Sequence, residues 1–330
     1  MYKKVLIVRF SSIGDIIFTT AVVEALKSQY PHCEIHYLTL SNYSQILEGH
    51  PHINRIILLD RKAGFGRLME LSRNLDKEDY SHVFDLHSSL RSGIIRRGIK
   101  SPCSVFRKPR INRFLLYYLK WNRFPSDFEL TDELSNFKEL EERALTRLYI
   151  SYKEKERCSS MLNRLGIKSN FVALVPGAAW PNKIWTVAGY NQLVDLMSEH
   201  HVVILGGADN TICDEISSEC DNIVNLCGKT DLRTSMTILA LALLAVGADT
   251  GLIHAAEALG TPVVMITGPT SRETGANVRH PGSQQLYSNM WCRPCSKNGQ
   301  RNCIRNEQFC LTYVTSEEVS GAVNRIIAQA

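Results

Sequence analysis

The sequence contains no G-x-G-x-x-G run anywhere in its 330 residues, which removes the dinucleotide-fingerprint reading of an α/β chain. Long apolar runs are missing too. The longest, 238–246, falls well short of the roughly 20 residues a helix needs to cross a bilayer. The N-terminal apolar run ends at Arg9, too early to form a signal-peptide core. From these absences we expect a cytoplasmic protein. Internal repeats and low-complexity tracts are absent as well. Acid is missing from one stretch in particular: from Arg91 to Arg123 there are ten Arg or Lys and no Asp or Glu, so the segment carries +10. The chain's net charge is only +5, which leaves −5 for the remainder.

What is present is an ordinary soluble composition, 44% hydrophobic and 22% charged, in a chain long enough for two domains. Short β-rich runs at 4–9, 34–39, 54–59, 82–86 and 104–107 alternate with helical stretches, clearest at 15–29 and 65–75. A second series places strands at 171–175, 202–205, 223–226, 245–248 and 263–267, with helices at 187–199, 211–219, 233–243 and 252–259. This alternation predicts parallel, doubly wound sheets, and two such series predict two Rossmann-like domains. A polar, charged connection of helical pattern over 127–165 sets the boundary near 160, giving domains 1–160 and 161–330. Ligands of open α/β sheets bind outside the carboxyl ends of the strands. Those ends are expected to converge on an interdomain cleft, so the strand-end loops carry the chemistry.

In "VRFSSIGDII" (8–17) a strand breaks into a turn and Asp15 opens a helix. Asp15 either caps that helix, with Ser11 and Ser12 as alternative caps, or faces a ligand. In "ALVPGAAWPNKIW" (173–185) the small residues Gly177, Ala178 and Ala179 let backbone amides approach a ligand closely. Lys183 there opposes the dipole of the following helix, so it is either a solvated surface lysine or the partner of an anion. In "GADTGLIHAAEALGTP" (247–262) Thr250-Gly251 opens a helix after Asp249, with His254 on the first turn. The structural reading is an N-cap and a core histidine. The functional one is a diphosphate site whose Asp249 accepts from sugar hydroxyls. "LGGADN" (205–210) offers Asp209 to a ribose.

The segments "VLIVRFSSIGDIIFTTAVVEAL", "VALVPGAAWPNKIW", "VVILGG" and "VGADTGLIHAAEALGTPVVMITGPT", in this order over about 5–270, resemble the successive motifs of glycosyltransferase family 9. That family contains the ADP-heptose:lipopolysaccharide heptosyltransferases, and the tail "CRPC…C…CL" also occurs in many members. The resemblance implies a GT-B fold, with acceptor bound mainly by the first domain and nucleotide sugar by the second. It implies inverting transfer that requires no catalytic metal. Carried onto matching positions, Asp15 is the general base and Lys183 the cation at the donor's reacting end. Asp249, Thr250, Gly251, Leu252 and His254 line the donor site. The expected function is transfer of heptose from ADP-L-glycero-D-manno-heptose to a lipopolysaccharide core acceptor. The alternatives are another nucleotide sugar, a protein acceptor, or a catalytically degenerate nucleotide-sugar-binding protein. Gly177, Ala178, Ala179 and Asp209 join the donor side, and Ser11, Ser12, His87 and Arg91 the acceptor side.

The basic segment interleaves Phe106, Phe114, Tyr117, Tyr118 and Trp121 with its cations, and 111–124 has the pattern of an amphipathic basic helix. A solvated face and a nucleic-acid patch are the other readings. Beside an anionic lipid-linked saccharide acceptor, the inner face of the inner membrane is the natural partner, and no nucleic acid is expected. Of ten cysteines, six are scattered singly, as reduced buried thiols are. Cys292, Cys295, Cys303 and Cys310 instead follow a C-x2-C-x7-C-x6-C pattern. They form either a structural zinc or iron site or a set of thiols, and four thiolates would leave no open position for catalysis.

Overall fold

Parallel pairing accounts for the uninterrupted apolar strands. Strand β1 (Lys4–Val8) reads KVLIV and is buried from Val5 onward, as a strand covered on both faces must be. It pairs in parallel with β2 (Glu34–Leu40) and β4 (His82–Asp85). With β3 (Arg55–Leu59) and β5 (Cys103–Val105) the first sheet runs β3-β2-β1-β4-β5. Helices α1 (Ile13–Gln29), α2 (Phe65–Asp76) and α3 (Leu90–Arg97) connect these strands. The computed structural model describes residues 2–131, 140, 144–168, 170–217 and 222–329.

The second sheet runs β11-β10-β9-β6-β7-β8, again all parallel. Its strands are β6 (Phe171–Val175), β7 (His201–Ile204), β8 (Ile223–Asn225), β9 (Leu244–Ala248), β10 (Val263–Ile266) and β11 (Gln284–Leu286). Among the described residues the other helices include α4 (Arg110–Leu119), α5 (Tyr152–Arg164), α6 (Val187–Leu196), α7 (Ile212–Glu215), α8 (Leu232–Leu239), α9 (Gly251–Ala258), α10 (Phe309–Thr312) and α11 (Ser316–Ile327). Alternate residues of β6 feed two cores. Val172 and Leu174 join α6 and α11 on one face, while Phe171, Ala173 and Val175 join α5, α8 and α9 on the other.

Strand order reverses between β1 and β4 in the first sheet and between β6 and β9 in the second. These two switch points, where adjacent strands send their connections to opposite sides, are where open α/β sheets take ligands. The loop bearing Asp15 leaves β1, and the loops bearing Lys183 and Asp249 leave β6 and β9.

The chain divides into two compact units, Met1–Arg110 with Glu129–Tyr149, and Ile111–Phe128 with Ile150–Ala330. The sequence boundary near 160 falls inside α5, which belongs to the second unit, and the basic segment 91–123 is shared between the units. Within the expected connection 127–165 the long described helix is α5; 132–139 and 141–143 lie outside the described residues. Strand β11 and helices α10 and α11 were not expected, because they lie beyond the alternating series that ends at 267. The expected basic helix over 111–124 ends at Leu119, where Lys120 takes a left-handed conformation (φ 55°) that stops it. Among the described residues no helix is long and apolar enough to cross a membrane.

Cysteines 213 and 227 correct the expectation of six single thiols. α7 follows β7 and Cys227 follows the neighbouring β8, so the two Cα atoms come within 6.4 Å and the sulfurs are bonded. Cys33 and Cys158 are buried free thiols and Cys103 is an exposed one. Cys220 lies outside the described residues.

Candidate active site

In the first unit Ser12 is the N-cap of α1 and Asp15 its N3 residue, joined in a reciprocal capping box. The Asp15 Oδ2 atom accepts from the Ser12 backbone N–H (3.1 Å) and hydroxyl (3.0 Å), and an Arg9 amino group lies 2.7 Å away. The carboxylate is 40% exposed. Arg9 is itself fixed, donating from NH1 to Leu86 O (2.6 Å) and from Nε to Ser11 O (2.8 Å). Capping and presentation of a carboxylate therefore coexist at Asp15. Arg9, which sequence reasoning passed over, orients it; its only signal was a charge at the end of a buried strand.

His87 follows β4, where buried Asp85 accepts from the His87 and Ser88 amides and shapes the turn. Its ring packs on Phe10 at 4.8 Å. Burial, reinforced by Arg9 and Lys108, pushes the imidazole down to about 4, so it is neutral at physiological pH. Arg91 is committed to the protein, its guanidinium donating to the carbonyls of Arg61, Asp60 and Ala63. Ser11, Ser12 and His87 thus gather around the β1–β4 switch point, whereas Arg91 fastens the loop after β3.

In the second unit the Lys183 ammonium lies 2.6 Å from Asp249 Oδ2 and donates to Asp249 O (3.1 Å). The anion expected for Lys183 is thus supplied, in part, by the protein. Thr270 donates to the same Oδ2 (2.7 Å), and His254 Nε2 lies 3.1 Å from Oδ1. Asp249 is 6% exposed. Burial opposes its ionisation, but Lys183 and His254 override it and hold the carboxyl below the ordinary range. Three internal donors occupy this carboxylate, so its part is to organise Lys183 and His254. Thr250 and Gly251 begin α9 directly after it, and Leu252 leans into the core beneath. The ammonium on the loop after β6 and the α9 amides after β9 therefore meet at one switch point. Gly177 allows close approach nearby, since a Cβ there would meet Asn210 Oδ1 at 1.8 Å. Ala178 and Ala179 follow it, and Asp209 is exposed on the loop after β7.

Cys292, Cys295, Cys303 and Cys310 line one cavity of about 290 Å³ together with Lys120, Arg293 and Trp291. Burial raises Cys295 and pushes Cys310 up to about 11. The donor set suits a thiophilic metal, but no three of these sulfurs come within 4.8 Å of one another. Several cations of the basic segment are likewise engaged internally. Arg96 faces Asp85 at 3.4 Å, Lys108 donates to Ser88 O, and Lys120 donates to Cys292 O and Pro294 O. α4 buries Arg113 while exposing Ile111, Phe114 and Leu119.

Sequence reasoning also missed Glu24, His50 and His52, the one group among the described residues with three ligand atoms within 4.8 Å. The His52 amide donates to His50 Nδ1, which leaves the proton of the neutral ring on Nε2, 3.5 Å from Glu24. His52 Nδ1 lies 3.0 Å from the same carboxylate oxygen, so both rings converge on Glu24.

The family model described as glycosyltransferase family 9 (heptosyltransferase) matches residues 68–304. A curated relative, lipopolysaccharide heptosyltransferase 3 of Escherichia coli K12, is 23% identical over 334 residues and covers 96% of each chain. The glycosyl transferase family 9 structure from Veillonella parvula superposes with a TM-score of 0.79 at 18% identity, covering 99% of this chain and 98% of that one. E. coli ADP-heptose lps heptosyltransferase II gives 0.74 at 20% identity and 99% coverage of both. The iron-containing dodecameric glycosyltransferase TibC of enterotoxigenic E. coli gives 0.60 at 15% identity, covering all of this chain and 79% of its own.

Proposed function

The chain belongs to glycosyltransferase family 9 and is a glycosyltransferase of GT-B fold, and we propose that it transfers heptose from ADP-L-glycero-D-manno-heptose to a lipopolysaccharide core acceptor with inversion. The observation that carries this reading is the buried Lys183–Asp249 pair at the start of α9, on the switch point of the second sheet. A diphosphate leaving group gains negative charge as the glycosidic bond breaks. An ammonium and helix-end amides fixed in advance stabilise that charge without reorganising. In the first unit Asp15, held by Arg9 and Ser12, takes the proton of the attacking acceptor hydroxyl. The names of relatives, lipopolysaccharide heptosyltransferases, support the sugar and the acceptor. A calorimetric panel of ADP-, GDP- and UDP-sugars tests the donor. Tightest binding of ADP-heptose is expected, and preference for a uridine or guanosine donor would refute the assignment.

We further propose a structural metal on Cys292, Cys295, Cys303 and Cys310, reached when the thiols deprotonate and draw together in their common cavity. TibC, an iron-containing relative in fold, supports the idea. Metal analysis of protein purified without chelators should find about one zinc or iron per chain; metal-free protein with four titratable thiols would count against it.

A further inference from the structure

The cysteine-bearing segment reaches both loops that hold the donor-site ion pair. From one side, Arg293 donates from Nε to Gly268 O (2.5 Å), from NH2 to Thr270 O (2.9 Å) and from NH1 to Ser288 O (2.9 Å). The Cys295 amide donates to Pro269 O (3.1 Å), which closes the clamp on 268–270. Thr270, with no exposed surface, then donates to Asp249 Oδ2, the oxygen that pairs with Lys183. From the other side, Asn182 donates to Gly299 O (2.9 Å) and Arg301 O (2.7 Å), while Gln308 donates to Asn182 O. Gly299 has φ +81°, and a Cβ there would lie 2.8 Å from Lys183 Cγ. The segment therefore supports Asp249 through Thr270 and Lys183 through its preceding residue.

We infer that Arg293 and Thr270 are positioning residues for donor binding, by which the segment 293–301 fixes the Lys183–Asp249 pair. The inference rests on the reading that this pair binds the donor's diphosphate. Arg suits the task because its rigid fork serves three carbonyls in different directions, whereas lysine donates from a single atom and glutamine has only two N–H donors.

The test is calorimetric binding of ADP to the full chain, with thermal unfolding measured alongside. Thr270→Val keeps the shape and removes the hydroxyl, and should weaken ADP about tenfold. Thr270→Ser restores the hydroxyl without the methyl and should return ADP affinity to within about twofold of wild type. A packing role predicts the opposite order, with Ser the worse substitution. Arg293→Gln should also weaken ADP about tenfold, Arg293→Lys less, and Arg293→Gln with Thr270→Val should cost less than the product of the single effects, since both act on one carboxylate. Lys183→Ala is the reference. If it weakens ADP while Thr270→Val and Arg293→Gln do not, the inference is overturned and the donor-site reading stands. If wild type does not bind ADP, or Lys183→Ala binds it normally, both are overturned. Should Arg293→Gln fail to fold, the Thr270 Val and Ser variants decide alone.

Discussion

At Lys183 a charge that the sequence could show only as ill-placed against a helix dipole finds its reason. The Lys183 side chain is 14% exposed and that of Asp249 7%, so each depends on the other to be buried as an ion. Replacing Lys183 with Ala strands the carboxylate, and we expect urea unfolding to report a loss of about 3 kcal/mol. An unchanged unfolding free energy would show that the pair does not hold the loop together. The position of Asp15 after a buried strand was legible, and so was its capping role. Arg9 and Thr270 were not, because their roles depend on contacts with residues 77 and 21 positions away, Leu86 and Asp249. Local pattern carries no information about such contacts.

Elements with long apolar or amphipathic patterns were readable, among them β1, α1, β6 and α9, because burial on a parallel sheet dictates their composition. Elements beyond the alternating series, β11, α10 and α11, were not. The division of the molecule escaped for a related reason. α5 carries a charged pattern that reads as a connection, yet it is pinned to the second unit by Glu154. That residue completes the α5 capping box with Ser151 and pairs with Arg233 of α8 at 2.6 Å. The Arg233 hydrogen bond holds the Glu154 carboxyl down to about 2, below its ordinary 4.5. A depressed folded-state pKa gives stability that is present above the ordinary value and lost as pH falls through the folded one. Glu154→Gln should therefore cost about 1–2 kcal/mol at neutral pH, allowing for partial exposure. The gap between variant and wild type should close as pH falls from 4.5 towards 2. An equal gap at neutral pH and at about pH 2 would mean that the carboxylate's charge is not its source.

For the whole molecule, two doubly wound sheets each present a chemically distinct switch point. One holds a carboxylate braced by arginine and serine, the other a buried ammonium–carboxylate pair at a helix start. Transfer of a sugar from a diphosphate needs one group to accept a proton and another to stabilise a leaving anion, and the proposed function divides that work between the two sites. The measurement that bears most directly on this is ADP release from ADP-heptose in the presence of a heptose-deficient lipopolysaccharide acceptor, wild type against Asp15→Asn. We expect acceptor-dependent release by wild type and a rate at least about 100-fold lower in Asp15→Asn, with ADP affinity and folding retained. Release by Asp15→Asn at the wild-type rate would contradict the account.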